Sequence, residues 1–417
     1  MATIIPFKGI RPSNDKSHLV PSRSIDNYTA TELQIELASN PFTFLHIINP
    51  DFEGHKKTKP GSDERLFKTK EKFHQFIKEK ILIQDSKQCY YIYQQNKDGN
   101  TYTGIIGCSN IDDYFNGTIK IHEQTLSERE EKLKHYLDVC EFNAEPVLFS
   151  YPNDEVINEI TLKLTLAEPE YNFTTNDKVN HKLWIVSDEI IISHIYEQFS
   201  KIKQVYIADG HHRSASSALL GKSRRNKNPN YSGKEPFNFY LGIFFPETQL
   251  KIFDFNRVVK DLNNLSVNEF ISKISEKFIL TEKGTAIYKP IKKYNYSMYL
   301  EGKWYSLDAK KEIVHSDKPL EDLDASILSE HILSPILNIN DLRKDKRICF
   351  VSGIKGMTEL KNLVDSFHFK VGFGLYPIAM KQMKYIADSN KIMPPKTTWV
   401  EPKMRSGMVV YSLEENC

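Results

Sequence analysis

The stretch that most constrains this chain is Val205-Tyr-Ile-Ala-Asp-Gly-His-His-Arg213, followed by Ser-Ala-Ser-Ser-Ala-Leu-Leu220. An apolar β run stops at Asp209, Gly210 permits a tight turn, and small residues then suit a helix that packs closely. A strand handed to a helix through one glycine leaves the first helical N–H groups unpaired, with a partial positive charge that favours anions. Arg213 can fork two hydrogen bonds onto phosphate oxygens, and His211, His212 and Ser214 can donate to the same group. Asp209 at this place needs a purpose, such as holding Mg²⁺ or polarising a hydroxyl. The two histidines do not read as zinc ligands, because adjacent turn residues point apart and no HxxxH or Cys/His set accompanies them.

A second junction has the same form. Ile119-Lys-Ile-His-Glu-Gln-Thr125 is a β-rich run that stops before Thr125-Leu-Ser-Glu128, which has the form of a capping box. Leu126, Leu133, Leu137 and Cys140 then recur at helical spacing. Glu123 is placed to act as a general base and His122 to orient it or contact an anion; equally, Glu123 can serve only to complement the helix dipole. Gly221-Lys222-Ser223 resembles the end of a P-loop, but Ser216 stands where the first glycine belongs, and the triplet follows its helix instead of preceding it.

Elsewhere the pattern alternates. Asp63 to Ile83 reads as a helix, and Cys89–Gln95 with Thr101–Gly107 reads as a hairpin turned by Lys97-Asp-Gly-Asn100. Pro146 opens a strand from Val147 to Tyr151. Leu162–Leu166 and Leu183–Val186 read as strands, and Asp188 to Lys201 as a helix. Ser214–Leu220 reads as a short helix stopped by Gly221, with a polar loop over 222–236. The class is α+β, with no long βαβ series. Three parts are expected: an α+β segment over 1–114, a mixed-sheet catalytic core over 115–258 with an insertion at 152–203, and an α+β domain over 259–417.

Charge narrows the function classes. Lys plus Arg number 56 and Asp plus Glu 54, a net +2, which argues against a protein that coats nucleic acid. Five cysteines without close spacing read as reduced, mostly buried thiols. No apolar run is long enough for a membrane span and none opens the chain, so a cytoplasmic protein is expected.

The junctions together, His122-Glu-Gln, a helix, Glu145-Pro-Val-Leu, a further strand and Asp209-Gly-His-His-Arg, resemble the free L-serine kinases of the SerK type. Those belong to the superfamily of ParB N-terminal and sulfiredoxin domains. The whole chain is similar to a bacterial family of unknown function numbered 1015, through Pro6-Phe7, Asp113-Tyr114, Lys120 to Thr125, Ile207 to Arg213 and the tail Met393-Pro-Pro-Lys-Thr-Thr-Trp-Val-Glu-Pro-Lys403. The resemblance implies a ParB/sulfiredoxin-like core that transfers a phosphoryl group between a nucleotide (ADP or ATP) or pyrophosphate and free serine, with Mg²⁺, giving O-phosphoserine. It assigns the hydroxyl proton to Glu123, a catalytic or metal-linked part to Asp209, and the phosphate cradle to His211, His212 and Arg213. Lys403 and Arg405, in a Pro-rich basic tail, are further candidates for binding a phosphate or carboxylate. Two other readings stand beside this one: a phosphoserine phosphatase using the same cradle, and a ParB-like nucleotide-binding or DNA-associated module without catalysis. The oligomeric state is not written in the sequence.

Overall fold

The hairpin forms as its turn residues dictate in the computed structural model of the chain, which describes residues 1–52, 54 and 57–414. Tyr90–Lys97 and Asn100–Asn110 pair antiparallel, with Lys97 opposite Asn100. Asp98 and Gly99 both take positive φ, 50° and 74°, the two-residue turn whose twist matches that of its strands.

The chain divides into two compact units. The first comprises 1–120, 125–250 and 402–417. Its nine-stranded sheet runs Ile119–Lys120, Val205–Asp209, Val147–Tyr151, Phe239–Pro246, Asn100–Asn110, Tyr90–Lys97, Asn180–Val186 and Tyr171–Thr174, with Ile4–Ile5 pairing onto Asn100–Asn110. Ile119–Lys120 lies parallel to Val205–Asp209, and Val147–Tyr151 lies parallel to Phe239–Pro246; the remaining pairs are antiparallel. Val147–Tyr151 and Phe239–Pro246 are buried at every residue, as expected of strands covered on both faces. The class is therefore mixed α/β with a mixed sheet.

The second unit comprises 121–124 and 251–401. Its six strands are all antiparallel, in the order Phe278–Gly284, Lys303–Ala309, Asn295–Leu300, Val371–Gly374, Phe255–Val259 and Ile348–Ser352. Helix Val267–Lys277, started by a full Ser266/Glu269 capping box, sends Phe270 and Ile274 into a core with Val259, Tyr296 and Phe373.

Several expectations are corrected. Boundaries at 114 and 258 fail because sheet hydrogen bonds join 1–114 to the following segment, because the insertion 152–203 supplies the last two strands at one end of the same sheet, and because 258 falls inside strand Phe255–Val259. The chain end also returns to the first unit, where Tyr411–Ser412 pairs with Phe142–Asn143. Leu162–Leu166 is not a strand. Asp154 caps helix Glu155–Leu164 by accepting from the Ile157 amide at 3.0 Å. Gly221 is no helix stop, since helix His211–Lys227 continues through it. A Cβ at Gly221 would stand 2.4 Å from Ile111 Cδ1 and from the Phe237 carbonyl oxygen, so the glycine serves close packing and not termination. The Thr125 capping box does not form either: helix Ser127–Cys140 begins after Leu126, and the Thr125 hydroxyl donates to the Glu130 carboxylate.

Cys89, Cys108 and Cys140 are buried free thiols, Cys349 is an exposed one, and Cys417 lies outside the described residues. No helix among the described residues is long and apolar enough to cross a membrane.

Candidate functional site

Strand Val205–Asp209 ends in an irregularity: its register against Val147–Tyr151 shifts between Ile207 and Asp209. A bulge at a strand end re-aims the side chain that follows, and here that side chain is Asp209. Gly210 then takes φ 96°, and helix His211–Lys227 starts at once. A Cβ at Gly210 would lie 2.9 Å from Nε and Nη2 of Arg213. Glycine is thus required both by the backbone and by the guanidinium folded over it.

Arg213 is fully engaged. Its Nη2 donates to Asp209 Oδ2 at 2.9 Å, and its Nη1 reaches Glu145 Oε1 and the Pro146 carbonyl, each at 2.7 Å. On the other side of Asp209, Lys403 Nζ donates to Oδ1 at 2.8 Å. Two cations and two carboxylates make a neutral cluster at the helix N-terminus. Burial alone would push the Asp209 carboxyl up. Lys403 and Arg213 outweigh it, with a smaller contribution from His211, and hold it at about 2.

Lys403 is placed by side chains the sequence did not single out. Buried Gln95 donates from Nε2 to the Lys403 carbonyl at 2.9 Å and to the Tyr93 hydroxyl at 2.9 Å. Tyr93 is 2.7 Å from Nδ1 of His181, whose Nε2 is 3.4 Å from the Thr175 hydroxyl. Thr175 donates to Asp177 at 2.6 Å, and Asp177 holds Arg405 at 2.8 and 2.6 Å. Burial foremost, then the charge of Arg405, pushes His181 down to about 3. The ring is therefore neutral, and the hydrogen-bond pattern assigns Nδ1 as acceptor from Tyr93. This chain of hydrogen bonds fixes the 403–405 segment at both ends.

The other expected site residues are distributed as follows. His211 is buried and His212 half-buried in the first helical turn. Ser214 is fully buried, with its hydroxyl 2.8 Å from that of Tyr240, so it faces the core and not an incoming phosphate. Arg405 is ion-paired with Asp177 and not with Asp209. His122 and Glu123 belong to the short strip 121–124 grouped with the second unit, where the His122 carbonyl accepts from the Met393 amide at 2.9 Å. His122 is buried and Glu123 exposed.

Asp209 does not suit a protein-held metal. Both of its oxygens already accept from cations, and no group of three or more His, Cys, Asp or Glu is gathered for a metal among the described residues. Glu145 escaped the sequence reading because a carboxylate before Pro146 looks like strand punctuation. A cavity of about 300 Å³ shares Arg213 and Glu145, and Phe44, Leu137, Phe142 and Tyr240 form part of its wall.

The fold and this junction define a mixed α/β protein carrying a strand–glycine–helix site braced by two cations. The family model described as "Protein of unknown function (DUF1015)" matches residues 4–326, and the chain belongs to that family. The matched span contains the Asp209–Arg213 junction and ends before Lys403. No curated protein matches the chain. Among solved structures it is similar to a free serine kinase in complex with AMP, at 13% identity over 74% of this chain and 92% of that chain, TM-score 0.37. It is similar to a conserved hypothetical protein from Pyrococcus furiosus, at 14% identity over 73% and 94%, TM-score 0.35. It is also similar to SbnI with a C-terminal truncation from Staphylococcus aureus, at 11% identity over 73% and 85%, TM-score 0.39.

Proposed function

We propose that this protein is a phosphotransferase that moves a phosphoryl group from a nucleotide to the hydroxyl of free L-serine, giving O-phosphoserine. The observation that carries the reading is the pair of cations, Arg213 and Lys403, held on one ionised carboxylate at a helix N-terminus. Phosphoryl transfer asks a protein for positioning and charge neutralisation more than for a covalent nucleophile. A donor phosphate at Gly210 would lie at the N-terminal end of helix His211–Lys227, where the helix dipole favours an anion. It would draw Arg213 and Lys403 partly off Asp209 and Glu145, exchanging one set of anionic partners for another.

Asp209 in this reading aims the two cations. At about 2 it stays ionised at physiological pH and is too weak a base to take the serine proton. That proton falls to Glu123, with His122 and His212 as orienting or donating groups. Mg²⁺ enters only as the counter-ion of the nucleotide phosphates, as part of the substrate. The cavity beside Arg213, with its aromatic wall, favours a ring-bearing donor over pyrophosphate. The ParB/sulfiredoxin-like assignment of the core belongs to the same proposal.

The test is direct. Purified protein with serine, Mg²⁺ and ATP, ADP or pyrophosphate in turn is assayed for O-phosphoserine, and protein with O-phosphoserine and Mg²⁺ alone is assayed for free phosphate. Formation of O-phosphoserine from a nucleotide is the expected result. Phosphate release from O-phosphoserine without any nucleotide replaces the kinase by a phosphatase, and silence in both arms removes the catalytic reading.

A further inference from the structure

In the first unit, the loop 18–28, helix Ala30–Ser39 with the turn after it, the turn at 174–177 and Arg405 bound a cleft of about 700 Å³. Arg405 forms part of its wall while being only 8% exposed. Its hydrogen bonds all leave from Nη2: to Asp177 Oδ1 and Oδ2 at 2.8 and 2.6 Å, and to the Thr175 hydroxyl at 3.4 Å. A guanidinium carries five N–H groups. Those on Nε and Nη1 make no hydrogen bond among the described residues, and neither nitrogen is sealed from solvent. A second guanidinium, Arg23, belongs to the same wall, 4.2 Å from the centre of the Tyr28 ring and 3.9 Å from the Glu32 carboxylate.

A guanidinium withdrawn from bulk water keeps its charge, and each N–H it presents asks for an acceptor. We infer that this cleft is a binding site for a small organic molecule carrying an oxyanion, a carboxylate or a phosphate, which accepts from the uncommitted N–H groups of Arg405 while Arg23 supplies a second positive charge. A volume of this size is usual for small-molecule sites. Leu19, Pro21 and Phe42 give the rest of the ligand an apolar wall. Arg405 is held in advance: Asp177 and Thr175 fix its Nη2, and Gln95 ties the backbone of the same segment at Lys403. Little side-chain freedom is therefore lost when an anion reaches it.

Two acids share the wall, Asp177 and Glu36. Burial pushes the Asp177 carboxyl up, and Thr175 and Arg405 outweigh it, so the group stays an anion beside Arg405. The cleft thus offers directed N–H donors instead of a net positive charge, which suits an oxyanion better than a simple halide. Asp209, Arg213, Glu145 and Lys403 do not line it, and the inference stands or falls apart from the phosphotransferase.

The test is an NMR titration of the full chain carrying nitrogen-15 arginine. It follows the Nε–H signal of Arg405, assigned by its absence in Arg405→Lys or its movement in Asp177→Asn. Sodium acetate and sodium methyl phosphate are added in turn, against sodium chloride at equal ionic strength. A saturable shift of that signal with acetate or methyl phosphate is expected, and the tighter of the two identifies the oxyanion as carboxylate or phosphate. Asp177→Asn removes the competing acid and should tighten binding by about threefold or more; Arg23→Leu leaves the Arg405–Asp177 pair in place and should weaken it by about the same factor. No saturable shift with either anion, an equal shift with chloride, or affinity unchanged in both folded variants overturns the inference. The titration of the unmodified chain decides the matter even where neither variant folds.

Discussion

Asp209 in the first unit is half-buried and Asp324 in the second is buried, and the two sit on opposite sides of the ordinary carboxylate value. Asp209 is held at about 2 and Asp324 is pushed to about 7. Burial acts in the same direction on both. What differs is supply: Asp209 has Lys403 and Arg213 on its two oxygens, whereas Asp324 has one backbone amide and an oxygen with no hydrogen-bond partner. Charged partners, together with depth, decide whether an acid stays a fixed anion or holds its proton.

The comparison breaks first at the base. A carboxylate gripped by two cations cannot take a proton near neutral pH, so the proton must go elsewhere, and Glu123→Gln is the largest expected effect. Turnover should fall by roughly 10²–10⁴-fold with the fold intact by circular dichroism. Turnover equal to the parent protein would return the proton to His212 or to water. Lys403→Met comes next. It removes one of the two cations from Asp209, so the carboxyl should rise from about 2 toward the ordinary range in a carbon-13 titration, and turnover should drop by about 10²–10³-fold. A carboxyl that stays where it is would mean that Arg213 alone governs Asp209.

How much of this was legible beforehand follows from sequence separation. The strand, glycine turn and helix start at 205–213 are local, and each residue there announces its conformation; so does the Asp98-Gly99 turn. The partners of Asp209 are not local. Lys403 lies 194 positions away and Gln95 is 308 positions from Lys403, and nothing in a linear pattern couples them. Arg405 was expected beside Lys403 because the two are neighbours in sequence. In the tail they diverge, one to Asp209 and the other to Asp177. Leu162 and Leu166 misled for a different reason, since both are exposed residues at or past the end of a helix. Asp324 gave no signal, because an aspartate in an apolar context reads as a turn or a cap.

The contrast between the two acids sharpens with pH. Asp324 binds its proton more tightly folded than unfolded, so the second unit loses stability as pH rises from about 4 through about 7. Asp209 has the opposite sign: its contribution is present above about 4 and is lost only as pH falls through about 2. Melting between about pH 5 and pH 8 should therefore report Asp324, with Lys293, Asp322 and Tyr294 as the charged or titratable groups beside it. Asp324→Asn should flatten that dependence and raise the melting temperature at the upper end. A slope unchanged by the variant assigns the titration to another group.

The smallest expected effect bears on how the partners of Asp209 are delivered. Gln95→Leu keeps the volume of a buried side chain and removes its donations to the Lys403 carbonyl and the Tyr93 hydroxyl. A buried carbonyl left without a donor costs about 1–3 kcal/mol, readable as a lower denaturation midpoint. If Gln95 acts by positioning Lys403, turnover should fall by only about tenfold, and the Asp209 titration should shift in the direction seen for Lys403→Met but by less. A stability loss with no change in that titration makes Gln95 a packing residue. The distinction matters because a cation at the end of a flexible side chain grips a carboxylate only as firmly as its backbone is held. The hydrogen-bonded chain from Gln95 through His181 to Arg405 secures the 403–405 segment on both sides of its central residue, Met404.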